Sequence, residues 1–234
     1  DPYHSISSAV DGATYSFTVT AFDNAGNQTE TACFSDLTID QTPPTAASSI
    51  VIAADSVIGA AASYDDDTEV YFKWSSAVDN ESSIRDYTIT HYPTADCTST
   101  ATEITGQTGT SYTLGSLVNG TSYTFKVTAF DQAGNSTESD CSNAILIDTT
   151  APSAPSSLVT SSDSSSGANA DYDDDTTVYI QWTNGADAES GIENHTVTIY
   201  EGAGCTGSSS DVDVSGAEFY ALTTATHGTT YSFE

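Results

Sequence analysis

The sequence predicts an all-β protein made of tandem sandwiches, and three observations predict it. The first is a repeat. GTSYTFKVTAFDQAGN at residues 120–135 occurs almost unchanged as GATYSFTVTAFDNAGN at 12–27 and begins again as GTTYSFE at Gly228, each start 108 residues after the last. The second is a hydrophobic period of two within each repeat, the signature of strands with one buried face, with no helical period anywhere. The third is that Gly, Asp, Asn and Ser punctuate these runs as turns.

The repeat divides the chain into the tail of one unit at 1–41, a whole unit at 42–149 and the front of a third at 150–234. Short Pro-containing linkers mark the borders, Asp40-Gln41-Thr42-Pro43-Pro44 and Asp148-Thr149-Thr150-Ala151-Pro152. Such linkers are stiff and brief, so adjacent units are expected to touch. In the whole unit a strand starts near Ile50, as one does near Leu158 in the next. Val70, Phe72 and Trp74 alternate with Tyr71 and Lys73, and Val178, Ile180 and Trp182 do the same 108 residues on. Tyr87 and Ile89 follow, then Tyr112 and Leu114. Tyr123, Phe125, Val127 and Ala129 form one inward row, and Ile145 with Ile147 the last. About seven short strands per unit predict a β-sandwich.

Composition bounds the partners. With 37% hydrophobic residues the chain can pack cores, but 33 acidic residues stand against only Lys73, Lys126 and Arg85, a net charge of −30. That surface repels nucleic acid and anionic lipid and attracts cations, or simply keeps the chain soluble. No apolar run is long enough to span a membrane, and no signal peptide is visible at Asp1.

The cysteines keep the repeat's period: Cys33 matches Cys141, and Cys97 matches Cys205. A position-locked pair per unit reads as a disulfide formed in an oxidising compartment, and the spacings fit no zinc motif. Two pairings are open. A bridge within the unit joins Cys97 to Cys141; bridges between units join Cys33 to Cys97 and Cys141 to Cys205.

Nothing in the chain resembles a catalytic constellation. His4, His91, His195 and His227 are scattered, no nucleophile elbow or phosphate loop occurs, and an enzyme is not expected. Acidic turns are more informative because they repeat. Tyr64-Asp65-Asp66-Asp67 returns as Tyr172-Asp173-Asp174-Asp175, Asp79-x-Glu81 as Asp187-x-Glu189, and Asp23 with Asn27 as Asp131 with Asn135. Either these side chains shape turns and stay solvated, or they hold a cation. Asn-x-Ser/Thr sequons stand at Asn27, Asn80, Asn119, Asn135 and Asn194.

Trp74 on the second strand, Leu117, Gly120, Tyr123, Phe125, Val127, Ala129, Asp131, Ala133, Gly134 and Asn135, with Thr-x-Ala-Pro at the junction, together resemble the fibronectin type III domain in its bacterial tandem form. The resemblance covers the full repeat and implies seven-stranded sandwiches, with Tyr123 as a tyrosine-corner residue and Trp74 in the core. The cysteine pair and the long acidic first loop, 54–67 and 162–175, depart from the family pattern. In such a sandwich the loop after the tryptophan strand and the Asp-x-Ala-Gly-Asn loop lie where the preceding unit attaches. That implies a junction of Asp40, Asp79, Glu81, Asp131 and Asn135, and an equivalent of Asp148, Asp187 and Glu189, whose hard oxygens suit interdomain Ca²⁺.

The expectation is a structural stalk or shaft of a long extracellular or cell-surface adhesin or fibre. Its partners would be neighbouring repeats, further copies in a fibre, and a glycan or protein at a distal tip. Three alternatives stand beside it. One is a glycan- or protein-binding module using Tyr71, Tyr92, Tyr179 and Tyr200; another is a spacer within a secreted enzyme. The third is a subunit that polymerises by strand complementation.

Overall fold

The computed structural model describes residues 4–55, 59–163, 167 and 170–234, so part of each long acidic loop lies outside the described residues. The chain is all-β and separates into two compact units, Asp1–Thr149 and Thr150–Glu234. Among the described residues no helix is long and apolar enough to cross a membrane.

In the first unit, residues 42–149 form two sheets. One orders β5 (Ser48–Ala53), β7 (Val70–Ser75) and β10 (Ser111–Leu114), with β7 in the middle. The other runs β6 (Tyr64–Asp65), β13 (Ile145–Ile147), β11 (Ser122–Asp131), β8 (Ile84–Tyr92) and β9 (Thr102–Gln107), with β12 (Ser136–Glu138) also on β11. All pairs are antiparallel except β6 with β13. Their facing rows are the alternating apolar positions: Val70, Phe72 and Trp74 from β7 meet Tyr87, Ile89, Phe125, Val127, Ala129, Ile145 and Ile147. Phe72 stacks on Phe125 at 4.9 Å between ring centroids, at the centre of the sandwich. The period-two pattern therefore gives strands because each turns its apolar row to the facing sheet, though Thr88 and Thr90 of β8 and Thr124 of β11, on the alternate positions, are buried as well.

Cys97, in the loop after β8, is bonded to Cys141, beyond β12. Cys33 and Cys205 are free and exposed. The between-unit pairing of Cys33 with Cys97 and of Cys141 with Cys205 is thereby corrected. The reason is local: β8 and β11 are adjacent, and Thr124 of β11 accepts the Cys97 amide while donating to the Thr94 carbonyl, which holds the Cys97 turn over that strand.

Residues 1–41 of the same unit form two small ladders, β1 (Thr14–Tyr15) with β4 (Leu37–Thr38) and β2 (Thr20–Phe22) with β3 (Gln28–Glu30). Phe17 and Val19 are exposed there, whereas their repeat equivalents Phe125 and Val127 are fully buried. Burial of Phe125 and Val127 needs the facing β7 and the flanking β8, and residues 1–41 contain no counterpart of either.

The second unit repeats four of these pairings, β5–β7, β7–β10, β8–β9 and β8–β11. Its sheets are β14 (Ser156–Ser161), β15 (Val178–Thr183) and β18 (Phe219–Leu222), and β17 (Ser208–Val214), β16 (His195–Glu201) and β19 (Tyr231–Phe233). Ile52 opposite Phe72 becomes Thr160 opposite Ile180, and the bulge between Ser48 and Val51 returns between Ser156 and Val159. Ile180, Trp182, Val197 and Ile199 are its core. The tyrosine corner occurs three times: the hydroxyls of Tyr15, Tyr123 and Tyr231 accept the amides of Val10, Val118 and Thr226, each five residues upstream.

Candidate metal centre

The β8–β11 ladder sets the site. At its end Asp131 pairs with Ile84 across a bulge, and the Gln132 amide donates to the Ser83 carbonyl, which fixes the β7–β8 and β11–β12 loops side by side. Each loop is closed by its own aspartate. Asp79 Oδ1 accepts the amides of Glu81, Ser82 and Ser83 at 2.8–3.1 Å. Asp131 Oδ1 accepts those of Gly134 and Asn135, and its Oδ2 accepts the Asn135 side-chain amide at 2.8 Å. The first repeat builds the same turn with Asp23 and Asn27. Bonds from Asn27 and from the Ala25 and Gly26 amides hold the Asp23 carboxyl below its ordinary pKa, Asn27 contributing most.

The linker passes over both loops. Its course is pinned on one side by Asp11, which accepts the Gln41 amide at 2.7 Å and the Thr42 hydroxyl at 2.9 Å. On the other side Thr45 exchanges bonds with Val78, through its own amide and its hydroxyl. Asn135 Nδ2 donates to the Asp40 carbonyl at 3.2 Å. This brings Asp40 to the loops, so that one carboxylate oxygen each from Asp40, Asp79 and Asp131 lies within 4.8 Å of the other two. Asp131 is fully buried and Asp40 is 8% exposed. Asp40 Oδ1 accepts the Thr42 amide, while its Oδ2 is buried with no donor.

Three carboxylates thus converge, and no ion pair among the described residues offers them a cation. The two ion pairs among the described residues, Arg85 with Asp86 and Lys126 with Glu138, involve none of them. Of the other residues expected at this junction, Glu81 stays outside the three-carboxylate group. Asn135 takes part as a donor that ties Asp131 to Asp40, not by offering its oxygen. Asp148 is buried at the end of β13 in the first unit, its amide bonded to the Asp65 carbonyl. Asp187 belongs to the second unit, where it caps Glu189, Ser190 and Gly191 as Asp79 caps its own loop.

Asp11 and Thr45 were not singled out by sequence reasoning as site residues. The signal for both is the repeat itself. Asp11 aligns with Asn119, which accepts the Thr149 amide, and Thr45 with Ser153, which bonds Ala186 in the same way.

The strand order and the two facing sheets define an immunoglobulin-like β-sandwich. Residues 60–145 match the family model described as Fibronectin type III domain. Among solved structures, that of the chicken CNTN1 FN1–FN3 domains is similar. The identity is 16% and the TM-score 0.48, over 96% of this chain and 70% of that one. No curated protein sequence matches the chain.

Proposed function

We propose that this chain is a spacer: a stalk or shaft segment of a longer extracellular or cell-surface adhesin or fibre, whose length is set by repeat number. Domains of the matched family commonly serve as structural or spacer modules. The observation that carries the reading is the joint in the first unit. The linker there is hydrogen-bonded to the segment before it, through Asp11, and to the sandwich after it, through Thr45 and Asn135. A linker held from both sides transmits orientation, which a spacer needs and a flexible tether lacks. A disulfide in the complete repeat favours an oxidising, extracytoplasmic setting. The four tyrosines considered for ligand binding are half-buried, and Tyr71 and Tyr200 donate their hydroxyls to Glu69 and Glu234, which gives the binding-module reading little platform.

Small-angle scattering on chains of two, four and six repeats tests the proposal. The maximum dimension should rise by a constant increment per repeat. Growth as the square root of repeat number, the behaviour of freely jointed units, would overturn it.

A further inference from the structure

We propose that Asp40, Asp79 and Asp131 form a calcium site that locks the linker onto the sandwich, an inference that deepens the spacer reading and rests on it. Asx turns account for part of the cluster, since Asp79 Oδ1 and both oxygens of Asp131 have donors within their own loops. They account for Asp40 Oδ1, which accepts the Thr42 amide, but not for Oδ2, which is buried with no donor in a carboxylate grouped with two others, and an uncompensated buried charge is costly. Nor do the described residues supply a counter-charge: Arg85 and Lys126 pair with Asp86 and Glu138, and the Lys73 ammonium donates to the Gly59 carbonyl.

A bound cation resolves both features at once, by neutralising the three carboxylates and giving Asp40 Oδ2 a partner. The donor set is hard oxygen alone, which selects Ca²⁺ or Mg²⁺ over softer metals. Two oxygens on one ion lie no further apart than twice the metal–oxygen distance, roughly 4.6–5.2 Å for Ca²⁺ and roughly 4.0–4.2 Å for Mg²⁺. Oxygens gathered within 4.8 Å satisfy the calcium limit without movement of the chain. Ca²⁺ also tolerates the irregular arrangement that three separate segments provide, with water completing its shell. Asp40 comes from the linker and the other two from loops of the sandwich, so the ion would fasten one to the other.

The test is calorimetric titration and thermal melting of the whole 234-residue chain after chelator treatment. CaCl₂ is compared with MgCl₂ and NaCl at matched ionic strength, alongside Asp40→Asn and, in a more exposed loop, Asp79→Asn. Calcium at a hundred times its Kd should raise the melting temperature by roughly 5 °C or more, beyond the effect of either control salt. Each variant should bind one calcium fewer, and Asp40→Asn should melt higher than the parent when calcium is absent, because it removes the orphaned charge. Absence of binding heat, an equal response to sodium, or unchanged stoichiometry in both variants would overturn the site. A calcium-free Asp40→Asn protein that melts lower than the parent would overturn it too, by showing that the carboxylate serves the fold unaided. The scattering series, run in chelator, judges the spacer reading separately.

Discussion

Asp65 shows how one buried side chain can impose a pH dependence. It lies on β6, whose parallel pairing with β13 turns Tyr64 outward and Asp65 inward, leaving it 3% exposed. Oδ1 accepts the Asp67 amide and Oδ2 has no donor. Burial, and after it the charges of Asp67, Asp66 and Asp55, push its pKa from 3.8 up to about 6, against the opposing pull of the Asp67 amide. A carboxyl whose pKa is higher folded than unfolded binds its proton more tightly when folded. Its penalty is therefore absent below the ordinary value, grows as pH rises towards about 6, and is complete above it. Asp65→Asn keeps an oxygen for the Asp67 amide and removes the charge. In calcium-free buffer it should raise the melting temperature by roughly a few degrees at pH 7 and confer no gain below pH 4. Melting curves across that range check it, and an equal effect at every pH would refute the assignment.

At the scale of elements the disulfide is the sharpest case. Cys97 and Cys141, 44 positions apart in sequence, enclose β9, β10, β11 and β12. Closing a loop of that size restricts the unfolded chain. Replacing both cysteines with serine should cost about 2–4 kcal/mol, seen as a lower urea midpoint with a slope that reports the looser unfolded state. An unchanged midpoint would mean the Thr124-centred hydrogen bonds hold the turn alone. Most of the strand plan was legible in the sequence, because alternation of Val70, Phe72 and Trp74, or of Tyr123 to Ala129, states directly which side is buried. The junction acids Asp40, Asp79 and Asp131 were legible through their recurrence and the family resemblance. Asp65 was not. Within three adjacent aspartates a solvated run and an inward carboxylate look alike until the partner strand is known. Asn135 was legible as a junction residue but not as a donor, since an amide can present either end and only the surrounding carbonyl and carboxylate decide which.

The whole molecule carries 33 acidic residues against three basic ones, and only two ion pairs occur among the described residues. Lys126 is held above its ordinary pKa chiefly by its bond to Glu138, so at least one basic group already has a local partner. Folding gathers the remaining negative charges into two compact units, where their mutual repulsion exceeds that in the expanded chain. Screening should therefore stabilise this protein, with few attractive pairs to weaken. Between 10 mM and 150 mM NaCl the Debye length falls from about 30 Å to about 8 Å, short enough to uncouple most surface carboxylates from one another. With chelator present, to keep divalent ions out, the melting temperature at pH 7 should rise by roughly several degrees over that range, and by less at pH 4, where many carboxylates are protonated. Differential scanning calorimetry at the two salts and two pH values measures both parts. A flat or falling melting temperature at pH 7 would mean that the repulsion is already relieved in the folded chain, and that its acidity serves solubility with no cost to stability.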